Sequence, residues 1–147
     1  MIIKRANELL KEIGNFLEMP DLAFNSNDSC LVEIKDQLDT AINLEIKLDV
    51  EQQRLVMILD FDSTTEGSDN MITAILTLNA LKVATTGAWI TFDPEENIFS
   101  LADEFFIPII KTEEFNERLE QFFDQHLTFQ EVFNNGSIDS LFEEEEE

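Results

Sequence analysis

Apolar residues recur every three or four positions over the first 17 residues, a spacing typical of an amphipathic α-helix. The apolar stripe consists of Ile2, Ile3, Ala6, Leu9, Leu10, Ile13, Phe16 and Leu17. Pro20 disfavours helical geometry at the residue before it and therefore closes this first predicted helix. The stripe is larger than a short helix needs to sit on one sheet, so we expect part of it to remain free for a partner.

After the polar residues 25–28 the apolar period changes to two, which is typical of strands that bury one face. In residues 30–35 and 42–50, apolar side chains alternate with mostly polar ones. Residues 54–61 are apolar on both faces, which predicts a central strand. Because the joins between these runs are short, we expect an antiparallel meander.

A second helix is predicted from Ser68 or Asp69, either of which can cap the free amides of its first turn. Residues 71–83 leave almost no polar face. Because a helix that is apolar all round must be covered on all sides, we expect a second copy of the chain to cover it. Gly87 supplies the terminating turn.

Residues 88–92 and 98–101 predict a hairpin, and Thr112 caps a third predicted helix. The apolar stripe of that helix consists of Phe115, Leu119, Phe122, Phe123, His126, Phe129 and Phe133. The order α-β-β-β-α-β-β-α predicts an α+β fold, in which three helices flank a twisted, mainly antiparallel sheet. We expect one domain over residues 1–135 and an acidic tail over residues 136–147, disordered because its five final glutamates repel one another.

The charge of the chain narrows the classes of partner. Its 147 residues include 32 acidic and 9 basic ones, for a formal charge of −23. Such a chain is poorly suited to nucleic acid or to anionic membranes, which both need Lys and Arg. The single cysteine fits a reducing cytosol, and neither a signal peptide nor roughly 20 consecutive apolar residues is found. We therefore expect a cytoplasmic protein.

One segment suggests catalysis. The apolar run 55–59 ends in Asp60-Phe61-Asp62-Ser63-Thr64, which resembles the first motif of haloacid-dehalogenase-type phosphatases. In that reading Asp60 attacks phosphorus, Asp62 acts as general acid/base, and Mg²⁺ lies nearby. The mechanism also needs a lysine and a further acidic pair on a parallel sheet, whereas the flanking segments predict a meander. A strand that ends in a polar turn explains the same residues.

The other candidates for chemistry are weaker. Cys30 alternates with apolar residues, and His126 lies on an aromatic stripe, so both are expected in the core or an interface. One Cys and one His cannot form a zinc site. A calcium loop starting at Asp60 would need Gly and Glu where the chain has Thr65 and Met71. We therefore expect no enzymatic activity, no metal and no cofactor.

Several short segments, taken in order, resemble the class I chaperones of bacterial type III secretion over about residues 3–133. The segments are Asn7-Glu8-Leu9-Leu10 with Gly14 and Leu17, Met19-Pro20-Asp21-Leu22-Ala23-Phe24, Cys30-Leu31-Val32-Glu33-Ile34, Leu76-Thr77-Leu78-Asn79, Thr86-Gly87-Ala88 and Ile107-Pro108-Ile109. Phe105-Phe106 and the glutamate tail do not match that family. The resemblance implies a homodimer that binds the non-globular N-terminal region of an effector, without ATP hydrolysis, and keeps it soluble and secretion-competent. It also implies dimerisation through the second helix and the strand after it.

These expectations translate into two sets of residues, since apolar grooves and strand addition are the means of binding. The expected effector-binding surface comprises Leu9, Ile13, Phe16, Leu17, Leu22, Phe24, Val32, Ile34, Leu44 and Ile46. The expected dimer interface comprises Ile75, Leu76, Leu78, Asn79, Leu81, Trp89 and Ile90. Components of the secretion apparatus are further candidate partners.

Two alternatives from other classes stay open. One is the phosphatase that uses Asp60 and Asp62, which Mg²⁺-dependent hydrolysis of a phosphomonoester would reveal. The other is an acidic adaptor or inhibitor that masks a basic partner. Strong salt sensitivity of partner binding would favour the adaptor over apolar binding.

Overall fold

The computed structural model describes residues 2–35, 41–61, 88–93, 95–96 and 98–134. Its elements are α1 (Ile2–Leu17), β1 (Ser29–Lys35), β2 (Ala41–Asp49), β3 (Arg54–Asp60), β4 (Trp89–Asp93), β5 (Ile98–Phe106) and α2 (Thr112–Asn134). The α2 helix is the third helix that the sequence predicts. The second predicted helix, Asp62 and the acidic tail lie outside the described residues.

The five strands form one sheet in the order β1-β2-β3-β5-β4, and every neighbouring pair is antiparallel. The tight turn between β2 and β3 is closed by the Asp49 carboxylate, which accepts a hydrogen bond from the Gln52 amide at 3.1 Å. The chain reverses at Gln53, whose φ is 55°. Because β3 has a partner on each side, it is a central strand, as its two-sided apolar pattern predicts.

The sheet has two different faces because successive side chains of a strand point in opposite directions. One face, called the covered face, carries Val32, Leu44, Ile46, Met57 and Leu101, all buried. These residues form one core cluster with the apolar stripes of α1 and α2. The opposite face, called the open face, carries Leu31, Glu45, Val56, Ile58, Ser100 and Phe106.

A partly buried ion pair joins α2 to the sheet. Arg118 donates a hydrogen bond to the Asp103 carboxylate at 2.7 Å and another to the Glu104 carbonyl oxygen at 3.0 Å. Its guanidinium group also lies 4.3 Å from the centre of the Phe105 ring. Burial raises the pKa of Asp103, although the charge of Arg118 opposes that effect.

The α+β fold with a mainly antiparallel sheet confirms the sequence prediction, and two boundaries differ from it. The last strand continues to Phe106 instead of ending at Leu101. Asp103 and Glu104 resemble a polar strand end in the sequence, but Arg118 neutralises Asp103 inside the core. The first helix ends at Leu17, where Glu18 takes a left-handed conformation (φ 58°), so the helix closes before Pro20. Neither described helix is long and apolar enough to cross a membrane.

Candidate binding cleft

The ten residues expected to bind an effector divide into two groups of equal size. Leu9, Ile13, Val32, Leu44 and Ile46 are each at most 5% exposed and belong to the core cluster. Their burial corrects the expectation that all ten offer surface, because the covered face and α1 use these side chains to pack against each other. The other five, which keep exposed surface, are Phe16, Leu17, Leu22, Phe24 and Ile34. Their binding role stays a prediction.

Three of the exposed residues lie in one cleft, called the binding cleft, of about 600 Å³. It is located where the end of α1, the end of β1 and the middle of α2 meet. It is lined by Phe16, Leu17, Glu18, Met19, Glu33, Ile34, Lys35 and Phe123. Phe16, at 45% exposure, stacks on Phe123 with ring centroids 5.1 Å apart and planes 20° apart. The cleft therefore offers an aromatic surface beside an aliphatic one.

The end of α1 fixes one rim of this cleft. The Met19 amide donates to the Gly14 carbonyl oxygen at 2.8 Å, and the Glu18 amide donates to the Asn15 carbonyl oxygen at 3.3 Å. These two bonds with a left-handed Glu18 form the Schellman arrangement, in which glycine is the usual residue. At Gly14, an added Cβ would lie 2.6 Å from the Met19 carbonyl oxygen and 3.7 Å from Leu22. The missing side chain of Gly14 thus lets the chain fold back over the helix.

The β1 strand forms the other rim and lies at one end of the sheet's strand order. An edge strand can add an extended peptide through main-chain hydrogen bonds. Ile34 projects into the cleft from the covered side of β1, while Glu33 and Lys35 lie at its mouth. The geometry thus combines an edge for backbone pairing with an apolar cleft for side chains, the two parts that strand addition requires.

Sequence reasoning placed Phe123 only on the stripe of the third helix and did not assign it to the binding surface. The structure shows that its neighbour Phe122 is buried, whereas Phe123 is partly exposed and packs edge-on against Phe122 at 5.5 Å. The sequence does contain a signal for this difference in exposure, namely two successive phenylalanines. Because consecutive helical positions are 100° apart, only one of the two can lie at the centre of the apolar stripe.

The phosphatase motif does not have the surroundings that its mechanism needs. Asp60 ends a strand with antiparallel partners on both sides, so the required parallel sheet is not formed by the described residues. Its carboxylate accepts a hydrogen bond from the Ser100 hydroxyl at 2.7 Å. Burial raises the pKa of Asp60, with a smaller contribution from Glu45, while the bond from Ser100 opposes the rise. Asp62 lies outside the described residues.

Cys30 and His126 occupy the core, as expected. Burial raises the pKa of the Cys30 thiol, which disfavours the reactive thiolate. His126 stacks on Phe61 with ring centroids 4.4 Å apart, and its Nε2 donates to the Asp60 carbonyl oxygen at 2.8 Å. Within the part of the chain that the structure describes, no group of three His, Cys, Asp or Glu side chains is placed to hold a metal ion.

The expected dimer interface is only partly described. Ile75, Leu76, Leu78, Asn79 and Leu81 lie outside the described residues. Ile90 is buried on the covered face, opposite Leu101, so it packs within its own chain. Trp89 lies opposite Ala102 on the open face and keeps part of its surface accessible. Its contact with a second copy stays a prediction.

These features define a protein-binding α+β domain, and comparison with known proteins identifies its class. Residues 8–129, most of the chain, match the sequence model of the Tir chaperone protein (CesT) family. The chain therefore belongs to this chaperone family. This membership confirms the resemblance to type III secretion chaperones that the sequence predicts. None of the curated proteins compared with the chain matches it significantly.

Solved structures show the same fold at low sequence identity. A chain of the HopA1–SchA chaperone–effector complex is 17% identical with a TM-score of 0.65, over 86% of this chain and 94% of that one. A chain of the ExsC–ExsE complex is 15% identical with a TM-score of 0.70, over 88% and 94%. A chain of the ExoT–SpcS complex from Pseudomonas aeruginosa is 11% identical with a TM-score of 0.52, over 82% and 92%.

Proposed function

We propose that this chaperone binds the non-globular N-terminal region of a secreted effector in the bacterial cytoplasm and keeps it soluble and competent for secretion. The observation that carries the proposal is the binding cleft, in which a half-exposed Phe16 stacks on Phe123 beside the edge strand β1. Family membership supports it, and so does the likeness to chains of complexes such as HopA1–SchA, a chaperone–effector complex.

Binding energy alone is sufficient for this function. A large apolar side chain of the effector that moves from water into the cleft contributes about 1.5–3 kcal/mol. Hydrogen bonds from β1 to an adjacent effector segment fix its direction and register. Such a complex hides the apolar effector residues that would otherwise aggregate, and it dissociates without a chemical step. The proposed function therefore includes neither catalysis nor ATP hydrolysis.

We also propose a homodimer formed through residues 71–83 and Trp89. The support is the apolar character of that segment together with the partly exposed position of Trp89. Two chains would bring together a formal charge of −46 (2 × −23), so their contact must be mainly apolar. Light scattering should give about twice the chain mass of 16.9 kDa. A mass equal to that of one chain at micromolar concentration would contradict the dimer.

The cleft is tested by comparing two phenylalanines of nearly equal exposure, Phe16 at 45% and Phe106 at 48%. The effector is first identified by co-purification from the native cytosol and mass spectrometry. Phe16→Asp should then weaken effector binding about thirtyfold or more, because a charge replaces an apolar anchor. Phe106→Asp adds the same charge on the other face of the sheet and should bind the effector as the wild type does.

Folding must be measured alongside binding. Melting temperature and dimer mass should be preserved in both variants, since neither side chain is buried. Phe16→Leu keeps the apolar character of the cleft and should bind the effector nearly as well as the wild type. Wild-type effector affinity in a folded Phe16→Asp variant would show that the cleft is not the binding site.

A further inference from the structure

A long groove crosses the open face of the sheet, away from the binding cleft. It has two parts, of about 910 Å³ and about 320 Å³, which share Leu31, Glu45 and Ile58 as lining residues. The larger part extends to the turn between β2 and β3, and the smaller part reaches β4 and β5. We call the two parts together the open-face groove.

The groove carries apolar side chains among polar ones, although the solvent side of an antiparallel sheet is usually polar. Leu31 is 67% exposed, and Val56, Ile58 and Ile98 are partly exposed. Phe106 lines neither part of the groove, but it lies on the same face, directly opposite Arg54, which lines the larger part. Leu31 and Phe106 are two of the few large apolar side chains that the described part of the chain leaves exposed, and the binding cleft uses neither of them.

The charged residues that line the groove are mostly acidic. Its carboxylates are Asp28, Glu45, Asp49, Glu51, Asp60, Asp93 and Glu96, and its basic residues are Lys47 and Arg54. Both basic residues already have carboxylate partners. Lys47 lies 3.4 Å from Glu45, and Arg54 lies 3.2 Å from Asp49 and 2.6 Å from Glu104. The seven acids and two bases leave a formal charge of −5, and among the residues that the structure describes no basic side chain lines the smaller part of the groove.

The combination of apolar and acidic side chains in one groove favours one kind of occupant. We propose that the open-face groove docks a segment of a second protein, distinct from the effector, that combines large apolar side chains with Lys or Arg. Charge complementarity favours such a segment, whereas the proposed contact between copies is mainly apolar and uses Trp89, which lines neither part of the groove. Because the groove and the binding cleft share no lining residue, both can be occupied at once.

A synthetic peptide tests the recognition chemistry directly. The probe is a labelled nine-residue peptide of alternating Lys and Leu, measured by fluorescence anisotropy in 150 mM salt, with a Lys–Ser peptide of equal charge as its control. The wild-type protein should bind the Lys–Leu peptide at least tenfold more tightly than the Lys–Ser peptide. Equal affinities would reduce the interaction to diffuse attraction by a very acidic protein and would overturn the proposal.

Matched protein variants locate the binding. Leu31→Ser with Phe106→Ser should weaken Lys–Leu peptide binding about tenfold or more. Ile3→Ser with Ile109→Ser removes apolar side chains of similar exposure (60% and 73%) that line neither the groove nor the binding cleft, and it should change binding less than twofold. Equal loss in both double variants, or loss in neither, would contradict the groove. If the first pair lowers the melting temperature, the single Leu31→Ser variant decides, and it should still weaken binding at least threefold.

Two further outcomes separate this proposal from its alternatives. Chaperone purified with its effector should bind the Lys–Leu peptide as tightly as the free chaperone does, and blocked binding would assign the groove to the effector instead. The Leu31→Ser and Phe106→Ser variant should keep the mass of the wild type in light scattering. A fall from dimer to monomer would make the groove an interface between copies and would overturn the proposal. If Phe16→Asp does not weaken effector binding, the peptide and light-scattering measurements described here still test the open-face groove.

Discussion

The two faces of the sheet are formed by the same strands, but they differ in burial and in the side chains they carry. On the covered face, β2 and β3 place Leu44, Ile46 and Met57 in a core sealed by α1 and α2. On the open face, the intervening positions mix apolar residues such as Ile58 with carboxylates such as Glu45. Because the side-chain period of a strand is two, one stretch of backbone can serve stability on one side and recognition on the other. Neighbouring residues can therefore have unrelated roles.

The difference between the two faces should have its largest effect on stability at two adjacent residues of β3. Met57→Asn should destabilise the fold by about 3–5 kcal/mol, because it removes a buried apolar side chain and leaves an amide without partners. Ile58→Asn, one position along on the open face, should cost only about 1 kcal/mol. Urea unfolding of the two variants measures the difference in free energy of unfolding.

Similar losses in the two variants would mean that the open face is as tightly covered as the other face. In that case the open-face groove would not be available to a partner. A large difference, together with weaker Lys–Leu peptide binding by Ile58→Asn, would show that this side of β3 is used for recognition.

Much of this architecture is readable in the sequence because the two periods, 3.6 and two, are physical consequences of helix and strand geometry. The periods show which residues share a face, but they do not show how far a neighbouring element extends over it. Ile13 and Phe16 belong to one apolar stripe, yet Ile13 is fully buried while Phe16 reaches the surface beside Phe123. That difference in burial depends on how α2 packs against α1, and Phe123 of α2 lies more than 100 residues after Phe16 in the chain.

Long-range partners explain the other departures from the sequence prediction. Asp103 resembles the end of a strand until Arg118, fifteen residues further on, forms an ion pair with it. The motif beginning at Asp60 shows the converse. Its sequence resembles a catalytic motif, but its strand pairs with antiparallel neighbours and not with the parallel ones that the catalytic mechanism needs. The local sequence pattern therefore predicts well which residues share a face of a helix or strand. It predicts poorly the role of a charged residue whose partner is remote in the chain.

The two faces also differ in how their charged residues are paired, as two arginines show. Arg118→Met should destabilise the protein by about 2–3 kcal/mol at pH 7, because Asp103 is only 3% exposed and would be left charged without its partner. Arg54→Met, on the open face, removes ion pairs with Asp49 and Glu104 that are open to water. It should therefore change the melting temperature little.

The loss in Arg118→Met should depend on pH. The pKa of Asp103 is already raised above its usual 3.8 by burial, and removal of Arg118 raises it further. A folded pKa above the unfolded one means that the native state binds the proton more tightly, so stability is lost as pH rises through that interval and regained as pH falls. The difference in melting temperature between wild type and variant should shrink from pH 7 towards pH 4. A constant difference would show that Asp103 is not the cause.

The smallest predicted effect concerns the rim of the binding cleft. Glu18 has φ of 58°, a left-handed conformation that costs a residue with a Cβ about 1 kcal/mol and costs glycine nothing. Glu18→Gly should therefore stabilise the end of α1 by about 0.5–1 kcal/mol, or about 1–4 °C in melting temperature. Asn15→Gly, inside the same helix, should instead destabilise slightly, by about 0.3 kcal/mol. Because Glu18 lines the binding cleft and neither part of the open-face groove, Lys–Leu peptide affinity should stay the same in both variants. A lower melting temperature in Glu18→Gly would mean that the glutamate side chain contributes more to the cleft than its backbone conformation costs.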